Sequence, residues 1–439
     1  MRAPVARLAG PLRQVVRAVR HLGRADETPR AARPATSWSA AEVARYRDLD
    51  SPRLVLIPDI EVDAALAATP RVTVLMPHLA MSRMTGGPNT ILNLTGRLAA
   101  LGVPLRFASV AGPTDRDVEA LRAHAARLAE TAMPPDTVEF QAAGQGAGPL
   151  CIGPRDVLIA TWWPTAHVAR AALAHIEARE FVYLVQDYEP GFYPWSSRHA
   201  LALASYGFPV RAVVNGRFLL DFLVSQRAGV FGAADIESRA VSFEPAVDRS
   251  LFHPEANPRA RRRLVFYARP RNERNLFDMG IRALREVAAA GVLRADRWEV
   301  VAIGSPIPPL DLGPGLQLES LPWLDYASYA ALLRTSDVLL SLMLSPHTSY
   351  PPLEMAACGH LVVTNEFGPK TAAALAERSP LIRAAPADPA ALAAALEAAL
   401  GDAEGIVEPM SIDVPGSWAA AFDEALPWLR RAVSEIGGW

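Results

Sequence analysis

Twice along this chain, strand-like apolar runs alternate with amphipathic helix patterns, and a Pro- and Arg-rich break separates the two series. Such alternation leaves few architectures open, because helices must cover both faces of a mostly parallel sheet. The first series reads as strand 71–76, helix 88–101, strand 103–110, helix 115–130, strands 156–161, 181–186 and 210–214, helix 216–226 and strand 240–243. The break at 248–263 holds Pro254, Pro258 and five arginines, as a hinge would. The second series reads as strand 264–268, helix 275–290, strands 298–303 and 316–319, helix 326–335, strand 338–342, helix 352–358, strand 361–364 and helices 371–377 and 389–400. The expected fold class is α/β with two Rossmann-like units, residues 71–250 and 251–416. Open sheets of this kind bind ligands at the carboxyl ends of their strands, so two of them face to face make a deep cleft.

Length agrees, since 439 residues exceed what one ordinary core accommodates. A net charge of −2 gives no reason to expect nucleic acid. Cys151 and Cys358 are the only cysteines, too few for a disulfide framework or a CxxC metal site, so a reducing compartment is expected. No run reaches the roughly 18 apolar residues that span a bilayer, and the N-terminus lacks a signal peptide's apolar stretch. The expected location is the cytoplasm.

Residues 1–70 read as a basic, irregular lead-in. Within 10–24, Leu12, Val15, Val16, Val19 and Leu22 share one helical side, and Arg13, Arg17 and Arg20 lie largely on the other. That pattern suits peripheral contact with the inner face of an anionic membrane, and it equally suits a frayed basic tail. The triplet Asp48-Leu49-Asp50 falls in the lead-in instead of after a sheet strand, so no metal site is expected there.

Three loops carry the chemistry. PHLAMSRMTGGPN ends on Gly86 and Gly87 before a helix that starts near Pro88, which lets backbone amides approach a ligand closely. A tight turn without a ligand has the same pattern. LVFYARPRNERN puts Arg269 at a strand end and Arg271 and Arg274 in the loop before a helix, where forked charges and a helix dipole suit a diphosphate. A solvated basic loop is the alternative. In SPHTSYPPLEMAACGHLVVTNEFG, His347, Thr348 and Ser349 offer donors ahead of a Pro351-Pro352 helix start, and Glu354 is a carboxylate on an apolar helix that needs a partner such as ribose hydroxyls.

The run PPLEMAACGHLVVTN resembles the donor-binding signature of family 4 glycosyltransferases, which are retaining, metal-independent enzymes of the GT-B type. Arg269 and Arg274 have the spacing of that family's basic phosphate clamp. PAVDRSLFHP resembles its segment before the hinge, and GSWAAAFDEALPWL resembles the helix that crosses back to the first domain, here residues 417–439. VQDYEPGFYPWSS, FYARPRNERN and SYPPLEMAACG are similar to bacterial rhamnosyltransferases of the WsaF type. The resemblance implies a dTDP-L-rhamnose donor and a cell-surface glycan acceptor, lipid-linked or free, with no cofactor. It also implies that Gly86–Asn89, Asp187–Glu189 and His347–Ser349 face the transferred sugar and acceptor, and that Leu321 and Trp323 lie near the base. One departure stands out: the family places a glutamate eight positions before Glu354, and this chain has Pro346 there. Asp187 or Glu189 is a candidate to replace that carboxylate from the opposite domain, and bonding to loop amides is their plainer role. A sugar-nucleotide epimerase and a non-catalytic partner in glycan assembly share this architecture and remain as rivals.

Overall fold

In the computed structural model the described residues are 55–112, 114–115, 117–144, 147–255, 260–403 and 412–439. The amphipathic segment 10–24 and the Asp48–Asp50 triplet lie outside them. The sixteen strands among the described residues are β1 Ile60–Val62, β2 Val72–Met76, β3 Leu105–Ser109, β4 Val138–Ala142, β5 Leu150–Ile152, β6 Val157–Ala160, β7 Phe181–Val185, β8 Val210–Asn215, β9 Ala240–Phe243, β10 Arg262–Ala268, β11 Trp298–Gly304, β12 Leu310–Gly313, β13 Leu316–Ser320, β14 Val338–Leu340, β15 Leu361–Asn365 and β16 Ile382–Ala385.

They form two seven-stranded sheets, β4-β3-β2-β6-β7-β8-β9 and β12-β13-β11-β10-β14-β15-β16, with β1 and β5 paired separately. Every pairing of the first sheet is parallel. The second is parallel apart from its edge strand β12, which runs antiparallel to β13. Central strands such as β2 (VTVLM) and β7 (FVYLV) are buried at every position, because helices cover both sheet faces. That burial makes them almost wholly apolar, Thr73 excepted, which is why they stand out in the sequence.

Elements missing from the sequence reading are mostly edges. β4 (VEFQA) buries only Val138, so it shows no apolar run. β12 and β16 are four residues each and mix in polar side chains. The helix Trp163–Ala172, also unanticipated, starts three residues after β6 with Pro164 in its first turn. The lead-in is not wholly irregular, since Ile60–Val62 pairs in register with Leu150–Ile152.

Each sheet reverses its strand order once. In the first, β3 and β4 lie on one side of β2 and β6 on the other; in the second, β11 and β14 flank β10. Such switch points open a crevice at the carboxyl ends of the diverging strands. The C-terminal helix Ala425–Gly437 returns to the first unit. Phe422, Ala425, Leu429 and Val433 join the cluster built by Val72, Ile91, Leu94 and Phe107. Arg211 ties the same helix down through Glu435.

Candidate active site

At the switch point of the second sheet, the loop after β10 carries the three arginines. Arg269 and Arg271 are exposed and make no side-chain ion pair among the described residues. Arg274 is half-buried on a single turn, Glu273–Asn275. Asn275 Nδ2 donates to Leu342 O at 3.0 Å, and Leu344 N donates to Arg274 O at 2.7 Å, which fastens this loop to the one after β14. Leu276 closes the turn in the left-handed region at φ 50°, a conformation that non-glycine residues adopt only where their surroundings hold them.

The loop after β14 has the same character. Ser349 sits at φ 70°, and its N–H donates to His347 Nδ1 at 3.0 Å. His347 N donates in turn to Ser345 Oγ at 3.1 Å. Burial of the imidazole lowers its pKa to about 4, so the ring is neutral; with Nδ1 accepting, its proton sits on Nε2. Nε2 and the Oδ1 of Asn215 are buried without a hydrogen-bond partner among the described residues. Thr348 is buried beside them.

Asp187, just past the end of β7, joins the two units. Its carboxylate binds the Arg274 guanidinium and accepts from Ser345 Oγ, both on the opposite sheet. Burial alone would raise its pKa, but the Arg274 charge and the Ser345 hydrogen bond hold it below the ordinary carboxylate value. The Arg274 guanidinium also lies 4.4 Å from the centre of the Phe192 ring. The two sheets therefore meet through their carboxyl edges, with a charge pair in the seam.

Glu189 is placed differently. Its Oε2 accepts from Trp163 N at 2.6 Å and Tyr183 OH at 2.8 Å, all within the first unit, and burial raises its pKa to about 8. Of the two candidates for a carboxylate from the opposite domain, only Asp187 touches the second unit in these contacts.

Glu354 is buried in the first turns of the helix Tyr350–Ala357. Its partners in the structure are protein groups, where the sequence led us to expect a ligand such as ribose: Tyr329 OH donates at 2.7 Å and Tyr326 OH at 3.3 Å. Burial raises Glu354 to about 7, against the pull of the two phenols. The tyrosines stand three positions apart on one helix face, and sequence reading had counted that helix only as covering the sheet.

Gly86 and Gly87 begin the helix Gly86–Ala100, and Gly86 has φ 33°. A directed chain of hydrogen bonds orients their carbonyls. Gln186 Nε2 donates to Gly87 O at 3.4 Å, and Asn215 Nδ2 donates to Gln186 Oε1 at 3.0 Å and to Tyr350 OH at 3.1 Å. Tyr350 OH lies 3.0 Å from Thr90 Oγ1, which donates to Gly86 O at 3.2 Å. Tyr350 belongs to the second unit, so its hydroxyl latches the two units at the glycine loop.

Trp323, 71% exposed, lines an open cleft of about 630 Å³ together with His78, Ser82, Arg83, Thr85 and Pro88 of the first unit. Leu321 packs on the second unit's core beside it. Lys370, the only lysine, is fully buried; its Nζ donates to Met343 O at 2.9 Å and so holds the loop that carries Ser345. Burial lowers its pKa to about 7, opposed by Asp187. Its singularity was visible in the sequence, and its position beneath the clamp was not.

The descriptions "WsaF, N-terminal domain" and "WsaF, C-terminal domain" match residues 71–216 and 262–397, together more than half of the chain. The O-antigen biosynthesis protein RfbC of Myxococcus xanthus is 39% identical over 216 residues, which are 48% of this chain and 16% of that protein. The chain thus spans about a sixth of that relative's length. The Anabaena protein HepE, solved with UDP-glucose, superposes with a TM-score of 0.53 at 12% identity over 83% of this chain and 98% of its own. OtsA superposes with a TM-score of 0.50 at 11% identity over 83% and 99%. These two likenesses are of fold. With both domain models in order along the sequence and two Rossmann-like units meeting at their carboxyl edges, the chain belongs to the WsaF-type GT-B glycosyltransferases.

Proposed function

We propose that this glycosyltransferase moves L-rhamnose from dTDP-L-rhamnose to a growing bacterial cell-surface glycan with retention of anomeric configuration. The observation that carries the reading is the arginine loop at the β10 switch point: Arg269 and Arg271 stand exposed and without an ion pair among the described residues, and Arg274 is aligned from across the seam by Asp187. The bond between the sugar's anomeric carbon and the diphosphate oxygen breaks, and a bond from the acceptor oxygen to that carbon forms. The acceptor's proton goes to the departing diphosphate. Negative charge grows on that diphosphate as it leaves, so Arg269 and Arg274 bind the transition state more strongly than the ground state.

Asp187 supplies, from the opposite unit, the carboxylate that Pro346 cannot, because it reaches the neighbouring Ser345. His347 Nε2–H and Asn215 Oδ1, a donor and an acceptor, suit a sugar hydroxyl. Trp323 and Leu321 flank the base. The relative's printed role in O-antigen biosynthesis supports an envelope glycan as product. Among the described residues no helix is long and apolar enough to cross a membrane. The identifying experiment is a panel of nucleotide sugars scored by shift in melting temperature, in which dTDP-L-rhamnose should shift it most. A larger shift with another nucleotide sugar overturns the donor assignment.

Transfer should survive EDTA, because guanidinium groups meet the phosphate charge. A strict manganese requirement would contradict this.

Glu354→Gln should weaken dTDP binding by about tenfold, since it removes the charged acceptor of the ribose hydroxyls. The fold should not suffer. Glu354's folded-state pKa is raised, so its contribution to stability is present at low pH and is lost as pH rises through about 7. Gln removes that loss, and the variant should melt no lower than wild type at pH 8. Unchanged dTDP affinity with a lowered melting temperature would assign Glu354 to packing alone.

A further inference from the structure

Trp195 is 94% exposed, an unusual position for the largest apolar side chain. It is not loosely held. Its ring stacks on His199 with 12° between planes and 5.6 Å between centres. His199 is itself pinned, with Nδ1 2.9 Å from Pro190 O and its backbone N–H donating to the capping Ser196 Oγ at 3.4 Å. The imidazole thus lies parallel to the indole in an offset stack, and with 94% of the residue exposed the indole is left largely open to solvent. Nearby, Phe192 is 36% exposed and covers the Arg274 guanidinium, so this aromatic segment begins at the clamp. Three residues extend at most about 11 Å, which keeps Trp195 within a few sugar units of the reacting centre.

We propose that Trp195, backed by His199, is a stacking subsite for an oligosaccharide acceptor and binds a sugar some units back from the acceptor's reactive end. This rests on the transferase reading above. An open indole held parallel to an imidazole offers a flat face that fits the C–H face of a pyranose. The surroundings agree: Ser196 and Ser197 add hydroxyls next to the indole and Arg198 follows them, a polar setting that suits a glycan better than a lipid tail. Continuity with the clamp through Phe192 selects the acceptor over an unrelated ligand.

The test uses the full chain, dTDP-L-rhamnose, and acceptors of one, two and four L-rhamnose units. For Trp195→Ala, KM for the tetrasaccharide should rise roughly tenfold, the scale of one lost stacking contact, with kcat and dTDP affinity unchanged. The monosaccharide acceptor should be used as by wild type. Trp195→Phe should restore part of the loss, and His199→Ala should show a smaller rise of the same kind. A loss equal for all three acceptors, or none for any, overturns the subsite. If Trp195→Ala instead lowers binding to anionic lipid vesicles and leaves the acceptor series unchanged, the ring is a membrane contact and the proposal fails. Wild type that uses no rhamnoside acceptor overturns the transferase reading itself, together with the ligand assigned here.

Discussion

Arg269→Ala and Arg274→Ala should each lower turnover by about tenfold to a thousandfold, the scale on which one preorganised charge-stabilising donor acts. Arg269 is exposed and unpaired among the described residues, so its removal should leave the fold untouched. Arg274→Ala also removes the partner of a buried carboxylate, and some loss of stability should accompany its loss of activity. Lysine at either position should fall between wild type and alanine, because a point charge restores the field and not the bidentate geometry. Affinity for dTDP should drop in the alanine variants by less than turnover does. Steady-state kinetics with calorimetric titration on the four variants separates the two effects. Alanine variants that lose donor affinity at unchanged kcat would make the arginines uniform binding residues.

Asp187→Asn should lower kcat/KM by about tenfold to a hundredfold, the scale of a charge-assisted hydrogen bond. The substitution keeps the shape and an acceptor for Ser345 Oγ while removing the charge that aligns Arg274. Its signature should oppose that of the arginine changes: dTDP should bind as tightly as in wild type or more tightly, since a negative charge beside the diphosphate is gone. Measuring dTDP affinity and turnover on the same preparation tests this. Wild-type turnover in Asp187→Asn, or a parallel fall in dTDP affinity, would remove Asp187 from the role of positioning residue.

How much of this was legible in the sequence depended on whether burial leaves a local trace. β2, β7 and β15 are covered on both faces and appear as mainly apolar runs, broken only by buried Thr73, Thr364 and Asn365. The edge strands β4 and β12 carry polar residues and were lost among turns. The arginine loop was legible because its position, off a buried strand and before a helix, is itself a local pattern. Contacts across the seam leave no such pattern. Tyr350 meets Thr90 at a separation of 260 residues and Asn215 at 135, and neither pairing changes any local periodicity. Choosing Asp187 over Glu189 likewise required the fold. The two carboxylates are two positions apart, and only the direction of the loop after β7 sends one to Arg274 and the other into the first unit's core.

The central claim is sugar transfer from a nucleotide donor to a glycan acceptor in the seam between the two units. Its most direct test is NMR of the protein incubated with dTDP-L-rhamnose and a rhamnose-terminated acceptor, following donor, free dTDP and glycoside together. The account predicts dTDP and glycoside in equal amounts, with the donor's anomeric configuration kept, and both products formed at least about tenfold more slowly by Arg269→Ala at the same enzyme concentration. Inverted configuration would contradict the retaining mechanism. An isomerised dTDP-sugar formed without acceptor, or a donor left intact by wild type, would contradict the claim of transfer.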